Sequence, residues 1–212
     1  CDDAFNWCEN LKEITLSLCV TSIGDRAFGG CWNLQKITLP SSVTNIGDEV
    51  FYGCWNLKEI NVTERNKVYR AIDGVLYTKD LKTIICYPKG KENKKFVIPQ
   101  SVTSIGNSAF ESCKNLQEIT LSQSVTSIGD YAFSGCWHLK EINQLLSVTS
   151  IGDNAFSWCK NLREIILPSS ITSIGKEIFD YCPNLQRINI PAGTFEKFKK
   201  LLPGWTHELH EV

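Results

Sequence analysis

The sequence predicts an α/β-type repeat solenoid: a right-handed coil with a parallel β-sheet on its concave face and short helical turns on its convex face. One inserted β-hairpin and a C-terminal capping helix complete it. Three observations carry that expectation. Cys8, Cys31, Cys54, Cys113, Cys136, Cys159 and Cys182 share one register, each 23 residues from the next except for one step of 59, which is two periods plus 13 residues. Phe5, Phe28, Phe51, Phe110, Phe133, Phe156 and Phe179 hold the same phase, three residues ahead of each cysteine. Neither a period of 2 nor one of 3.6 survives across a unit, so the repeat belongs to a whole supersecondary unit rather than to one helix or strand.

Each part of the unit has its own reason. Residues 34–39, Leu-Gln-Lys-Ile-Thr-Leu, alternate over their last four positions and are rich in Ile and Thr, which reads as a short strand. Equivalent rungs fall at 11–16, 57–62, 95–98, 116–121, 139–144, 162–167 and 185–190. Pro40, Pro99, Pro168 and Pro191 lack a donor and end their strands. Then comes Ser-Val-Thr-Ser-Ile-Gly, where Gly24, Gly47, Gly106, Gly129, Gly152 and Gly175 are expected to take a left-handed backbone at a corner. Asp25, Asp48, Asp130 and Asp153 follow, placed to cap one helical turn that carries Ala and Phe inward. A coil of this size cannot bury its own apolar side chains, so neighbours must stack, about 4.8 Å apart, into a continuous core.

The departures set the domain organisation: a solenoid over residues 1–193 with one long unit at 66–92, then a cap over 194–212. In the long unit the runs 73–77 and 82–87 predict a β-hairpin turning at 78–81 and standing off the solenoid. Lys89, Lys91, Lys94 and Lys95 beside it read as a solvated basic loop. Thr194 is placed to cap a helix with Phe195, Phe198, Leu201 and Leu202 on one face, and Pro203 stops it. The first coil has no such lid, and Cys1 stands where other coils have glycine. The expectation there is a fragment of a longer repeat protein or an end covered by a partner, with a lipid-modified Cys1 as a further reading.

The pattern Ser-Val-Thr-Ser-Ile-Gly-Asp-x-Ala-Phe-x-x-Cys-x-x-Leu-x-x-Ile-x-Leu-Pro resembles the leucine-rich repeats of the BspA family, also called the Treponema type, over residues 1–193. The Asp-Gly-Val-Leu-Tyr insert is familiar there too. The resemblance implies a secreted or cell-surface protein with an adhesion-type binding role toward host matrix or other cells. It transfers no catalytic residue.

Composition narrows the function further. With 22 basic and 23 acidic side chains the net charge is -1, so no global cationic field exists to gather nucleic acid. No apolar run reaches the ~18–20 residues of a membrane span, and the start does not read as a signal peptide. In a translational stack the column cysteines carry parallel Cβ vectors, which a disulfide does not allow, so they read as small buried free thiols. His207-Glu-Leu-His210-Glu has the wrong spacing for a helical zinc protease motif and reads as a polar tail. No Cys-x-x-Cys pair, nucleophile elbow or phosphate loop is present, so no metal, cofactor or enzymatic role is expected.

That leaves surfaces. Outward-facing strand positions form one column through Glu13, Lys36, Glu59, Lys95, Glu118, Glu141, Glu164 and Arg187, and another that includes Asn61, Thr120 and Asn143. The first half of the charged column alternates in sign. Glu118, Glu141 and Glu164 then stack like charges, a local cost unless Lys140 and Arg163 fold over them or a cationic partner docks. Trp32, Trp55 and Trp137 each follow a column cysteine, and Trp7 and Trp158 each precede one, so an aromatic rim borders the sheet. The candidate binding residues are therefore Glu59, Asn61, Glu118, Thr120, Glu141, Asn143 and Glu164 on the sheet, with Trp32, Trp55 and Trp137 on the rim. The expected role is non-enzymatic recognition of a protein or glycan through these two surfaces. The alternative is a stalk or spacer without a specific ligand.

Overall fold

A computed structural model describes all 212 residues. All eight expected rungs form, in three parallel blocks. Glu13–Thr15, Lys36–Leu39 and Glu59–Val62 make the first, with Ile14, Ile37 and Ile60 in one register row. Lys95–Val97, Glu118–Thr120 and Glu141–Asn143 make the second. Glu164–Ile166, Arg187–Ile190 and Leu209–Glu211 make the third. Alternation decides which residue turns inward: Ile37, Ile60, Ile119, Ile142, Ile165 and Ile188 are all buried.

The Ser-Ile dipeptides expected at a corner form a second parallel ladder. Ser104–Ile105, Ser127–Ile128, Ser150–Ile151 and Ser173–Ile174 pair in sequence, each isoleucine beside the next.

The convex face departs from its expected helical turns. Each regular coil instead holds two left-handed residues four apart, such as Arg26 and Gly30, Tyr131 and Gly135, or Asn154 and Trp158. This geometry points backbone N–H groups along the stack rather than around the coil. Arg26, Phe28 and Gly30 donate to the carbonyls of Asp48, Val50 and Tyr52 at 3.0, 3.0 and 2.7 Å. A helical turn would direct the same donors into its own coil, leaving the next coil's carbonyls unpaired.

The corner glycines also differ from expectation, since none of Gly24, Gly47, Gly106, Gly129, Gly152 and Gly175 has a positive φ. What they provide is close approach. A Cβ at Gly152 would lie 2.6 Å from the Asp130 nitrogen and 2.7 Å from the Gly129 carbonyl carbon. The space is taken by the previous coil's aspartate, whose carboxylate caps the next coil instead of its own: Asp48 N–H donates to Asp25 Oδ1 at 2.8 Å and Asp153 N–H to Asp130 Oδ1 at 2.8 Å.

The hairpin expected from runs 73–77 and 82–87 forms, Val75–Thr78 pairing antiparallel with Thr83–Cys86, but it does not stand off the solenoid. Tyr69–Ile72, Val75–Thr78 and Thr83–Cys86 form an antiparallel meander whose last strand joins the Ser-Ile ladder beside Ser104–Ile105. Asp73 and Gly74 both have positive φ, as a tight two-residue hairpin turn requires, and Val75, Leu76 and Tyr77 are buried. Asn66 pins its start: its Nδ2 donates to the carbonyls of Pro40 and Val43, and its Oδ1 accepts from Val68 and Tyr69 N–H, all at 2.8–2.9 Å.

Aromatic rings run through the stack. Phe5, Phe28 and Phe51 stack before the meander, with centroids 5.3 and 5.9 Å apart. Tyr87 takes the phenylalanine position in the long unit and opens the second file through Phe110, Phe133, Phe156 and Phe179, at 5.1, 5.1, 5.4 and 5.9 Å. The column cysteines do more than fill space. Cys31, Cys54, Cys136, Cys159 and Cys182 donate their thiols to the phenylalanine carbonyl of the preceding coil at 3.0–3.3 Å. All ten cysteines are unpaired, and burial pushes the Cys54 and Cys136 thiols up to about 12.

The helix Phe195–Leu201 covers the last coil with buried Phe198, and Trp205 meets Phe179 edge to face at 5.6 Å. Thr194 does not cap this helix; its Oγ1 donates to Pro191 O, and Glu211 Oε1 accepts the Phe195 N–H at 3.0 Å. The expected polar tail is thus a ninth rung, Leu209–Glu211, with Leu209 buried. No helix is long and apolar enough to cross a membrane.

Candidate functional site

The sheet face positions its side chains by register. Glu118 stands opposite both Lys95 and Glu141, and Thr120 opposite Asn143. Lys95 Nζ pairs with Glu118 Oε2 at 2.5 Å, and Lys36 Nζ with Glu59 Oε2 at 3.3 Å, so alternating sign neutralises where the pattern allows it. A hydrogen bond from Asn61, with Lys36 adding, holds the Glu59 carboxyl below the usual carboxylate range. Both pairs are exposed to solvent and screened, so they add little to stability.

Glu141 has no such partner. Lys140 and Arg163, which offer one of the two ways of relieving the stacked glutamates, form no ion pair. The reason is a break in the ladder. Within the blocks the carbonyls of Lys12, Gln35, Lys94, Gln117 and Arg163 each accept an N–H from the next coil at 2.7–2.9 Å; the carbonyl of Lys140 receives none from Arg163. Asn33, Asn115 and Asn184 send their side-chain amides to the preceding coil at 2.7–2.9 Å, while Asn161 makes no such bond. The strands Glu141–Asn143 and Glu164–Ile166 therefore face each other unpaired across a cleft of about 470 Å³.

The coil that opens carries Gln144 where its neighbours carry Leu121 and Leu167. Gln144 turns left-handed, with φ of 65°, and Leu145 swings in to fill the apolar position. Beside the cleft, Leu146, Ile166 and Val212 are exposed around an adjoining hollow of about 360 Å³.

The candidate residues thus do not gather equally. Glu141, Asn143 and Glu164 line the cleft, with Lys140, Asn161, Arg163 and Ile166. Glu118 and Thr120 stand one rung away, while Glu59 and Asn61 lie in the first block, beyond the meander. Glu164 is engaged by the Asn189 amide.

Trp32, Trp55 and Trp137 lie on the rim, partly exposed. Lysines that sequence reasoning did not connect with them complete the surface: Lys114 Nζ sits 4.0 Å from the Trp55 ring centroid and 4.4 Å from that of Trp137, and Lys160 Nζ 4.6 Å from Trp137. The signal was visible in the column one residue after each cysteine, where Trp32, Trp55, Lys114, Trp137 and Lys160 follow one another.

The basic loop beside the meander is partly internal. Lys89 is buried and pairs with Glu111 at 3.0 Å. Burial alone would lower the Lys89 pKa; the Glu111 carboxylate more than offsets this and holds it above the ordinary range. The pair borders a convex-face cavity of about 190 Å³ where the meander interrupts the turn ladder.

The model of the BspA type leucine-rich repeat region matches this chain in six copies, over residues 1–89 and 83–201. Among solved structures, the pneumococcal vaccine antigen PcpA is 30% identical with a TM-score of 0.83, covering 89% of this chain and 47% of its own. A leucine-rich cell surface protein from Faecalibacterium prausnitzii is 33% identical at 0.75, covering 89% and 56%. A leucine-rich repeat protein from Eubacterium ventriosum is 28% identical at 0.73, covering 89% and 62%. The chain therefore spans less than two thirds of each of these relatives. No curated protein matches it at a significant level. With the repeat matched along nearly its whole length and the stacked coils in place, the chain belongs to the BspA-type leucine-rich-repeat family.

Proposed function

We propose that this chain is a non-enzymatic binding module of a secreted or surface-displayed protein, recognising a partner through the sheet face around the Glu141–Glu164 cleft. The observation that carries this reading is the open step itself. Two strands of a parallel ladder leave backbone donors and acceptors, an unpaired Glu141 and exposed Ile166 facing solvent together. Open strand edges are ready templates for pairing with another chain, and they suit a partner that supplies hydrogen bonds and positive charge. The acidic row Glu118, Glu141 and Glu164 favours a basic protein surface.

Substituting Glu118, Glu141 and Glu164 together by alanine is expected to weaken capture of basic host-matrix proteins at least about tenfold, the scale of one or two lost charged contacts. The folded melt should stay within about 1 kcal/mol. Surface plasmon resonance against a panel of matrix proteins measures it. Unchanged affinity, or no binding by the parent chain at all, would favour the spacer reading.

A further inference from the structure

The rim beside the sheet carries a charge pattern hidden by the chain's near-zero net charge. Four residues after each column position, the coils present Lys12, Lys58, Lys94, Lys140 and Arg163 among glutamines, with no acid in the column. One residue after it come Lys91, Lys114 and Lys160 among the tryptophans. Against these eight cations the same strip holds only Glu9 and Glu92, and Glu92 pairs with Lys58 at 2.7 Å. No other cation of the strip has a carboxylate within ion-pair distance.

Two of these cations are fixed in place. Lys114 lies between Trp55 and Trp137, and Lys160 between Trp137 and Trp158, whose ring centroid is 5.7 Å away. Trp158 in turn stacks on Tyr181 at 4.1 Å. An ammonium held over ring faces loses little side-chain freedom on binding. Such an arrangement is a row of preorganised anion acceptors.

We propose that this rim binds a linear acidic polysaccharide, one whose repeating sugars carry carboxylate or sulfate groups. This rests on the binding-module reading above and names a ligand class for the rim. Regularly spaced cations suit regularly spaced anions, and the tryptophans serve to hold two of those cations in place. A nucleic acid fits less well, because base stacking needs free aromatic faces and lysines cover these. Glu118, Glu141 and Glu164, which start at the next residue, disfavour a polyanion on that part of the sheet.

Heparin, hyaluronan, neutral dextran and a single-stranded oligodeoxynucleotide, each titrated against the whole chain by calorimetry, test this. Expected is binding of at least one acidic polysaccharide that weakens with salt, with none to dextran and weaker binding to the oligonucleotide. Changing Lys114 and Lys160 together to glutamine should reduce polysaccharide affinity at least about tenfold with an unchanged melt. Trp137→Ala, which frees both lysines, should reduce it as well. Absence of acidic-polysaccharide binding, equal binding of the oligonucleotide, or indifference to the double substitution overturns the proposal. If matrix-protein capture still depends on Glu118, Glu141 and Glu164 in that event, the rim inference fails and the sheet-face reading stands.

Discussion

Phe133→Ala is expected to lower stability by about 3–5 kcal/mol, measured by denaturant unfolding. Phe133 is fully buried and stacks on Phe110 at 5.1 Å and Phe156 at 5.4 Å. Its carbonyl also receives the Cys159 thiol at 3.3 Å. The cost sits at the upper end of such substitutions because the neighbours cannot collapse into the space: the turn ladder and the Ser-Ile ladder tie this coil to the coils on both sides. In a stack where a coil contacts only its neighbours, the damage is also local, so unfolding should split into two transitions. Phe5→Ala is the internal comparison. Phe5 is 37% exposed with one stacked neighbour, and its loss should cost less than about 1 kcal/mol. Equal effects at the two positions would mean that the file is not the core.

Gly152→Ala is expected to cost about 3 kcal/mol, and its sign is as informative as its size. If the glycine only conferred backbone freedom at a permissive φ, alanine would stabilise by about 0.4–1 kcal/mol through the unfolded chain. The structure requires the opposite. The new methyl meets the Asp130 carboxylate and the backbone of two residues of the preceding coil, and a 23-residue register cannot shift to relieve it. Gly204→Ala, at a site with nothing within 4 Å of the added carbon, should stay within about 0.5 kcal/mol of the parent. Thermal melts of the two variants side by side distinguish steric need from chain entropy.

The rungs were legible because the pleat writes itself into sequence: Ile37 and Leu39 go in, Lys36 and Thr38 come out, and the unit repeats this eight times. The glycines and aspartates were legible as necessary but not in their role, since a missing Cβ serves left-handed backbone and close approach alike. Only the neighbouring coil decides between them. The convex turns were misread for the same reason, because a helical turn and a forward-pointing ladder differ in what lies one coil on. The hairpin of runs 73–77 and 82–87 was legible, whereas the Asp73-Gly74 pair, itself a turn signal, lies inside the run that reads as strand and so hid the third strand, Tyr69–Ile72. Gln144 in a leucine column was visible; the opening that accompanies it depends on backbone geometry that no single residue specifies. Lys114 reaching from one tryptophan to another across intervening coils likewise follows from side-chain length in three dimensions.

Amide hydrogen exchange on the folded chain tests the central claim, a register-locked stack opened at one step of its sheet face. The N–H groups of Lys140 and Gln186 donate to the preceding coil at 2.8 and 2.9 Å, and that of Arg163, at the equivalent position between them, has no backbone acceptor. Slow exchange at Lys140 and Gln186 with fast exchange at Arg163 is the predicted result. Equal protection at all three positions would show the ladder closed and the cleft absent, contradicting the account.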